Sequence, residues 1–457
     1  MTTSTLTDSD RPEAPPGATT PGLTLLYSQG LARAGEQVAL GRRAALLLGR
    51  DEPLFPGGAL RDPRMSGRHA ALAAASGGWT LVDRGSKNGT FVNGKRVVEH
   101  ALAPGDLLRV GSTFLVFAPV STGPARPHDS DGLVGVSAAM AAVRDSAALV
   151  ASTDQTVLLL GESGSGKEVL AAEVHRRSGR PGPFLAVNCA SLRGELLESE
   201  LFGHIRGAFT GAQRAHDGLF LRAAQGTVFL DEVGELDEAA QARLLRVLEA
   251  RTVRPVGASV EVPIDARVIA ATNREVAELV RQKRLRADLY ARLARWTITL
   301  PPLRERREDL GVLVRALLAR RAPGRTQAVA PASTLDAPPG LDLSAELMAA
   351  LCEHPWPLNV RGLVNVIEAA RIAQPGVTRL ELVPHVVSAL AAQADLAPDV
   401  APAVPSEAPP RGPDELVPVL ERHRGNVAAA ARELGLTRQS LYRLIERLGI
   451  DPERYRG

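Results

Sequence analysis

The sequence predicts a multidomain chain in which a β-sandwich is followed by an α/β domain and then by a small all-α domain. Three observations carry this. Between Leu23 and Val120, short apolar or alternating runs are broken by glycines, the pattern of a sandwich of about a hundred residues. From Thr156 to His175, an apolar run, a glycine-rich turn and a second stretch with apolar faces at Val169, Leu170 and Val174 read as a buried strand entering a helix. From Asp414 to Leu448, three short helical stretches are punctuated by stop and cap residues. At 457 residues the chain is too long for one hydrophobic core.

Composition removes several classes. No run of about twenty apolar residues exists, so no membrane span is expected. The first residues are Thr-, Ser- and Pro-rich with Asp8 and Asp10, without the basic start or apolar stretch of a signal peptide. Cys189 and Cys352 are the only cysteines and lack CxxC spacing, so two buried thiols in a cytoplasmic protein are expected rather than a disulfide framework or a zinc site. The net charge of +3 is too small to imply a nucleic-acid partner, which local chemistry must supply.

Residues 1–21 are polar and proline-bearing and read as disordered. In 22–120, strands are expected at Leu23–Leu26, Ala45–Leu48, Trp79–Val82, Thr90–Val92, Leu107–Val110 and Phe114–Phe117. Three spots stand out on the connecting loops: Gly49-Arg50, Ser66-Gly-Arg-His69, and Asp83-Arg-Gly-Ser-Lys-Asn-Gly-Thr-Phe-Val-Asn-Gly94. In that order and at those separations they resemble the forkhead-associated (FHA) domain, a phosphothreonine-binding sandwich. The resemblance implies that Arg50 and Ser66 contact the phosphate with Arg68 beside them, that Asn88 holds the peptide backbone, and that His69 braces the loops. A phosphothreonine carries about −1.5 to −2 charges and calls for such charge-assisted donors. The chain departs from the family in having Gly67 directly after the serine, with the basic residue one place later. Residues 121–132 form a linker with Pro124 and Pro127.

Gly161 to Lys167 matches the phosphate-loop pattern G-x-x-x-x-G-K. Glycines let consecutive backbone N–H groups converge on phosphate oxygens, and the following helix adds the positive end of its dipole. Gly161, Glu162, Ser163, Gly164, Ser165, Gly166, Lys167 and Glu168 are thus candidates for nucleotide binding, with Lys167 reaching the β- and γ-phosphates. Glu168 stands where the magnesium-binding Ser or Thr is usual. Downstream, Gly226-Thr-Val-Phe-Leu-Asp-Glu232 is a buried apolar strand ending in two carboxylates. Asp231 is placed to hold Mg²⁺ through its waters, and Glu232 to polarise an attacking water.

With Glu200-Leu-Phe-Gly-His204 and Gly207-Ala-Phe-Thr-Gly-Ala212 between these motifs, the region from Leu133 to Ala391 resembles the AAA+ domain of bacterial enhancer-binding proteins, the activators of σ54 RNA polymerase. The resemblance implies an α/β subdomain over 133–305 and a helical lid over 306–393. It makes Gly207, Ala208, Phe209, Thr210, Gly211 and Ala212 a σ54-contacting loop tipped by Phe209 and Thr210. It implies that Asn273 senses the γ-phosphate, that Asn188 holds Glu232 back, and that Arg286 and Arg292 are arginine fingers for a neighbouring subunit's ATP. Arg361, in Trp356-Pro-Leu-Asn-Val-Arg361, would contact bound nucleotide. Leu358 replaces a usual glycine and Gly362 a usual glutamate. The stretch from Ala322 to Gly340 reads as a flexible insertion.

After a linker over 394–413, residues 414–457 read as helices at 414–423, 426–434 and 438–448. Leu441, Leu444, Ile445 and Leu448 form the buried stripe of the third. Arg438, Gln439 and Arg443 are left for DNA, as in a helix-turn-helix, and the stretch resembles the Fis-type domain of the same activators. The expected fold class is a β-sandwich, a P-loop AAA+ domain with a helical lid, and a helix-turn-helix. The expected function is σ54-dependent activation by a cytoplasmic homo-oligomer, from dimer to hexamer, using ATP and Mg²⁺. Its partners would be σ54 polymerase, enhancer DNA and a phosphothreonine protein made by a Ser/Thr kinase. The alternatives are a phosphopeptide- and DNA-binding regulator that uses ATP only as an assembly switch, and a scaffold with a dead P-loop.

Overall fold

The computed structural model describes residues 19–41, 43–75, 78–121, 132–192, 194–209, 212–319, 341–396, 413–423, 430, 441, 445 and 450. The chain forms two compact units, Met1–Gln393 and Ala394–Gly457.

In the first unit, β1 (Thr19–Tyr27), β2 (Gln37–Ala39), β3 (Ala45–Leu48), β4 (Ala70–Ala75), β5 (Gly78–Asp83), β6 (Thr90–Val92), β7 (Lys95–Val97), β8 (Glu99–Leu102), β9 (Asp106–Val110) and β10 (Thr113–Ser121) make the sandwich. One sheet runs β2-β1-β10-β9-β6-β7 and the other β3-β4-β5-β8, with all pairings antiparallel. Leu23, Leu25, Leu72, Leu81, Leu108 and Leu115 point between the sheets, the inward half of each strand's alternation. Residues 19–21 are a correction to the sequence reading: they are not disordered but pair with residues 119–121. Ser121 likewise ends β10 rather than opening a linker. The expectation for residues 1–18 lies outside the described residues.

The α/β subdomain has a parallel sheet of order β12-β13-β16-β11-β17. Its strands are β11 (Val157–Leu160), β12 (Phe184–Asn188), β13 (Thr227–Asp231), β16 (Arg267–Thr272) and β17 (Trp296–Thr299); β14 (Thr252–Val253) and β15 (Val262–Pro263) pair apart from it. Around the sheet lie α1 (Ala138–Ala151), α2 (Lys167–Ser178), α3 (Glu195–Phe202), α4 (Leu219–Arg222), α5 (Glu238–Ala250), α6 (Val276–Arg281) and α7 (Ala287–Leu293). The strands read as apolar runs because both faces are covered. On α2 the buried apolar residues are Leu170, Ala171 and Val174. Val169 is corrected to an outward position, 47% exposed. Cys189 and Cys352 are both buried.

The lid consists of α8 (Leu310–Ala319), β18 (Asp342–Leu343), α9 (Ala345–Glu353), α10 (Asn359–Ala373), β19 (Arg379–Leu380) and α11 (Pro384–Ala394). The expected insertion over 322–340 lies outside the described residues. Just before α8, Asp309 is fully buried and joins the two subdomains. Its carboxylate accepts from Val136 N (2.5 Å), Ser137 N (2.7 Å) and Ser137 Oγ (2.8 Å). The Ser137 hydroxyl in turn caps α1 by accepting from Met140 N. In the second unit, α12 (Pro413–Arg422) carries Leu416, Val419 and Leu420 into a small core with Ala430, Leu441 and Ile445. Leu444 and Leu448 of the expected stripe lie outside the described residues.

Replacing Asp309 by Ala strands three donors in apolar surroundings, each costing about 1–3 kcal/mol when left unpaired. Asp309→Ala is therefore expected to lower the urea midpoint of the AAA+ portion by a loss of about 3 kcal/mol or more. A midpoint within error of wild type would show that the anchor carries no stability.

Candidate nucleotide and partner sites

The sheet order decides what meets at the phosphate loop. β11 delivers Gly161–Lys167 from its carboxyl end. Its neighbour β16 delivers Asn273, and β13 beyond it delivers Asp231 and Glu232. Ligands of open parallel sheets bind at this carboxyl edge. The loop's glycines are required by geometry. Gly161, Gly164 and Gly166 all have positive φ, and a Cβ on Gly164 would collide with the carbonyl of Leu358 in the lid.

Lys167 is buried, and its Nζ donates to the carbonyls of Gly161 (2.8 Å) and Glu162 (3.3 Å), lying 3.9 Å from Glu232 Oε1. Burial lowers its pKa, with Glu232 and Asp231 pulling the other way. The pKa of Glu232 is raised by burial, against a hydrogen bond from Asn273 N (3.1 Å) and the charge of Lys167. Its backbone is left-handed, φ 54 and ψ 50, a strained state for a non-glycine residue and one that gathers at functional sites. Asn188 Nδ2 reaches Asp231 Oδ2 at 3.5 Å. The hydrogen bond to Glu232 comes instead from the backbone of Asn273. Glu168 is exposed on α2.

The residues fit a nucleotide. Ser165 Oγ is buried in the loop without a hydrogen-bond partner, and the loop glycines leave a cradle that side chains would fill. Mg²⁺ suits the same place, because it is usually bound by one or two carboxylates plus phosphate oxygens and water. Asp231 offers the hard oxygen. Among the described residues no group of three or more His, Cys, Asp or Glu could hold a metal.

On the lid side, Arg361, which the sequence singles out, is joined by Arg304 and Asn359, whose importance the sequence does not reveal. Arg304 donates through both terminal nitrogens to the Glu162 carboxylate, at 2.9 and 2.6 Å. Asn359, fully buried, donates to Glu162 Oε2 (3.0 Å) and to the Ser163 carbonyl (3.0 Å), and accepts from Leu303 N (2.8 Å). Arg361 Nη1 donates to Ser163 Oγ at 2.7 Å. The only sequence signal for this clamp is the motif containing Asn359 itself. Arg286 and Arg292 pair with Asp288 and Glu249 on the surface of the α/β subdomain. Arg286 and Asp288 also line an open cleft of about 830 Å³ with Glu235, Asp237 and Arg284.

In the Gly207–Ala212 loop, Gly207 N donates to Ala212 O (2.8 Å) and Ala212 N to Phe209 O (3.0 Å). Phe209 is half-buried rather than bare. Its ring meets His204 edge-on, with centroids 4.9 Å apart. His204 is fixed by Ser199 Oγ (2.7 Å) and the Arg214 carbonyl (3.0 Å). Thr210 and Gly211 lie outside the described residues, as do Arg438, Gln439 and Arg443.

On the sandwich, His69 is fully buried and bridges two loops. Its Nδ1 accepts from Ser66 N (3.1 Å), which leaves Nε2 to donate to the Gly89 carbonyl (3.1 Å). Lys87 N donates to Ser66 Oγ (3.3 Å), Asn88 Nδ2 donates to the Arg64 carbonyl (2.7 Å), and Arg50 pairs with Asp51. Arg50, Arg68 and Asn88 are exposed. A Cβ at Gly67 would touch nothing within 4 Å, so packing does not demand the glycine there. Asp83 organises the third loop. Burial raises its pKa, but bonds from the Ser86 and Thr90 hydroxyls and from the Ser86 and Gly85 N–H groups outweigh that and hold it at about 2.

These features define a P-loop AAA+ ATPase domain with a lid, joined to an FHA sandwich. The models for the Sigma-54 interaction domain, the FHA domain, the AAA+ ATPase lid domain and the bacterial regulatory protein, Fis family, match residues 133–299, 46–111, 304–397 and 414–448. The transcriptional regulatory protein ZraR of Klebsiella oxytoca is 41% identical over 339 residues, 73% of this chain and 72% of that one. The acetoin dehydrogenase operon transcriptional activator AcoR of Bacillus subtilis is 38% identical over 330 residues, 71% of this chain and 52% of that one. NtrX from Brucella abortus, solved in complex with ADP, is 30% identical and covers 70% of each chain, with a TM-score of 0.46. The chain belongs to the NtrC-like family of σ54-interacting transcriptional activators, with an FHA domain, an AAA+ domain and a Fis-type helix-turn-helix. No helix among the described residues is long and apolar enough to cross a membrane.

Asn359→Gly keeps the left-handed backbone of that position (φ 52) and deletes only the clamp. Losing a hydrogen bond to a charged group costs about 1.5–3 kcal/mol, so ADP binding measured by calorimetry is expected to weaken about tenfold. Unchanged affinity would show that the clamp does not shape the nucleotide site.

Proposed function

We propose that this protein hydrolyses ATP in a ring of its own subunits and uses the cycle to remodel the σ54 polymerase closed complex. Phosphothreonine recognition by the FHA domain controls it, and the helix-turn-helix holds it on enhancer DNA. The observation that supports this best is the convergence of Lys167, Asp231, Glu232, Asn273 and Arg361 on one phosphate loop, in the same domain as the Phe209 loop.

In this reading Gly161–Lys167 and Arg361 bind the phosphates, and Lys167 turns from the loop carbonyls to the β- and γ-phosphates. Asp231 holds Mg²⁺, which when bound neutralises charge on the phosphate oxygens. Glu232, close to the γ-phosphate sensor Asn273, orients the attacking water and takes its proton. Asn188, on the adjacent carboxylate, restrains the pair. Arg286 and Arg292 act on the next subunit's ATP, where an arginine finger is worth about 10³–10⁵ in rate. Arg50, Ser66, Arg68 and Asn88 take the phosphothreonine peptide made by a Ser/Thr kinase. Arg438, Gln439 and Arg443 contact DNA.

The decisive experiment is transcription in vitro from a σ54 promoter. Thr210→Ala is expected to keep ATP turnover and lose open-complex formation, whereas Glu232→Gln is expected to lose both. Full transcription with Thr210→Ala would favour ATP as an assembly switch instead. The raised pKa of Glu232 also has a readable sign. Its carboxylate is lost at a higher pH than that of a solvated glutamate, so the acid limb of the ATPase pH–kcat profile should sit above the ordinary glutamate range. A limb at or below that range would remove Glu232 as the base.

A further inference from the structure

The β1–β10 face of the sandwich is packed against the lid. Tyr27, Leu31 and Val116 of the sandwich share one buried apolar cluster with Val312, Leu347 and Leu351 of the lid. The Tyr27 hydroxyl donates to the Leu343 carbonyl (3.0 Å), and Arg315 Nη1 donates to the carbonyls of Ala34 (2.9 Å) and Ala32 (3.3 Å). Gly311, at the start of α8, lies so close to the Leu26 backbone that a Cβ there would collide with it. Contact with the α/β subdomain falls at Val136, whose carbonyl accepts from Gln37 Nε2 (3.2 Å), beside the Asp309 anchor.

The lid helix α9 touches the sandwich loops, and the chain leaving it runs to the P-loop contacts at the start of α10. The first turn of α9 carries Glu346, which pairs at 3.7 Å with Arg64, two residues before Ser66 on the proposed phosphothreonine loop. The Arg64 carbonyl accepts from Asn88 of the neighbouring loop. The last residue of α9, Glu353, abuts the Asn93–Gly94 turn, where a Cβ on Gly94 would lie 3.2 Å from its Oε1. Just beyond α9, Trp356 is buried with its Nε1 bonded to the Leu351 carbonyl (3.0 Å). Asn359 and Arg361 follow on the P-loop.

We propose that α9 couples the phosphothreonine site to the nucleotide site, and that the coupling is negative. The inference rests on the phosphothreonine reading of the FHA loops. A dianionic phosphate near Ser66 competes with Glu346 for Arg64 and repels the Glu346 carboxylate. The α9 seat then loosens, and with it the grip of Asn359 and Arg361 on Ser163. Nucleotide bound beneath that grip tightens α9 and resists the phosphopeptide, since coupling between two sites acts equally in both directions. Arg64 and Glu346 are 65% and 61% exposed. An ion pair so open to water supports a modest effect, up to about fivefold.

The test uses the full chain, a fluorescein-labelled peptide pool with one fixed phosphothreonine, its unphosphorylated counterpart, and ADP. The phosphopeptide is expected to bind roughly two- to fivefold more weakly with saturating ADP, and ADP to bind more weakly by the same factor with saturating phosphopeptide. In Glu346→Gln, an exposed change that leaves the phosphate ligands untouched, peptide affinity should rise and both factors should fall to one. Phospho-selective binding that ignores ADP overturns the coupling and leaves the FHA reading standing. Equal or absent binding of both peptide pools overturns both. Coupling that persists unchanged in Glu346→Gln overturns the assignment to α9.

Discussion

Asn359 keys the lid to the phosphate loop, and the nucleotide cleft takes its shape from that contact. The side chain uses its amide nitrogen on Glu162 and Ser163 and its oxygen on Leu303 N. It therefore ties together a loop, a hinge and a helix start from inside the protein. Its backbone is left-handed, a state asparagine tolerates better than most residues. Arg361, two residues on, reaches Ser163 Oγ from the same helix start. Glu162 is shared between Asn359 and Arg304, and the Arg304 hydrogen bond outweighs burial and holds its carboxyl below the ordinary range. The Gly161–Lys167 loop is thus gripped from the lid side through an ionised carboxylate.

The opposite wall of the cleft is set by the parallel sheet. Strand order places the ends of β11, β16 and β13 side by side, so two carboxylates and a lysine meet without any loop reaching across. Their environment is poised rather than fully paired. Burial lowers the Lys167 pKa and raises that of Glu232, and each charge partly restores the other. Nearby, burial and then the Asp231 and Glu232 charges push the Cys189 thiol up to about 12. It stays neutral and inert beside the site.

Much of this could be read from the sequence, and the failures have physical causes. The phosphate loop and the Asp231–Glu232 strand end are local patterns, where spacing alone fixes geometry. Strand β4 was missed because Ala70–Ala75 is nearly all alanine, a composition with little strand preference. Val169 was assigned inward because helix periodicity cannot show which edge of an apolar stripe meets the sheet. Beyond the motif that holds Asn359, the clamp leaves no trace in the sequence for another reason: Arg304 and Asn359 lie 142 and 197 residues from Glu162. A polar residue that will be buried against a distant partner looks like any surface residue until the chain closes. Asp309, within an Arg-Glu-Asp stretch, carries no local sign of burial and is the buried joint between subdomains.

The two departures in the lid motif explain one another. Leu358 brings a side chain where the family usually has glycine, and Gly362 removes one where the family has glutamate. In the fold, a Cβ at Gly362 would lie 3.2 Å from the Leu358 Cβ and would collide with the Gln393 side chain of α11. Gln393 Nε2 donates to the Gly362 carbonyl at 3.2 Å, so α11 approaches through the space the missing side chain leaves. Leu358 itself has an ordinary negative φ of −98, so its backbone needs no glycine. The neighbouring Asn359, not residue 358, takes the left-handed turn into α10. The substitutions therefore exchange volume within one turn of helix and leave Asn359 and Arg361 seated on Ser163 of the Gly161–Lys167 loop.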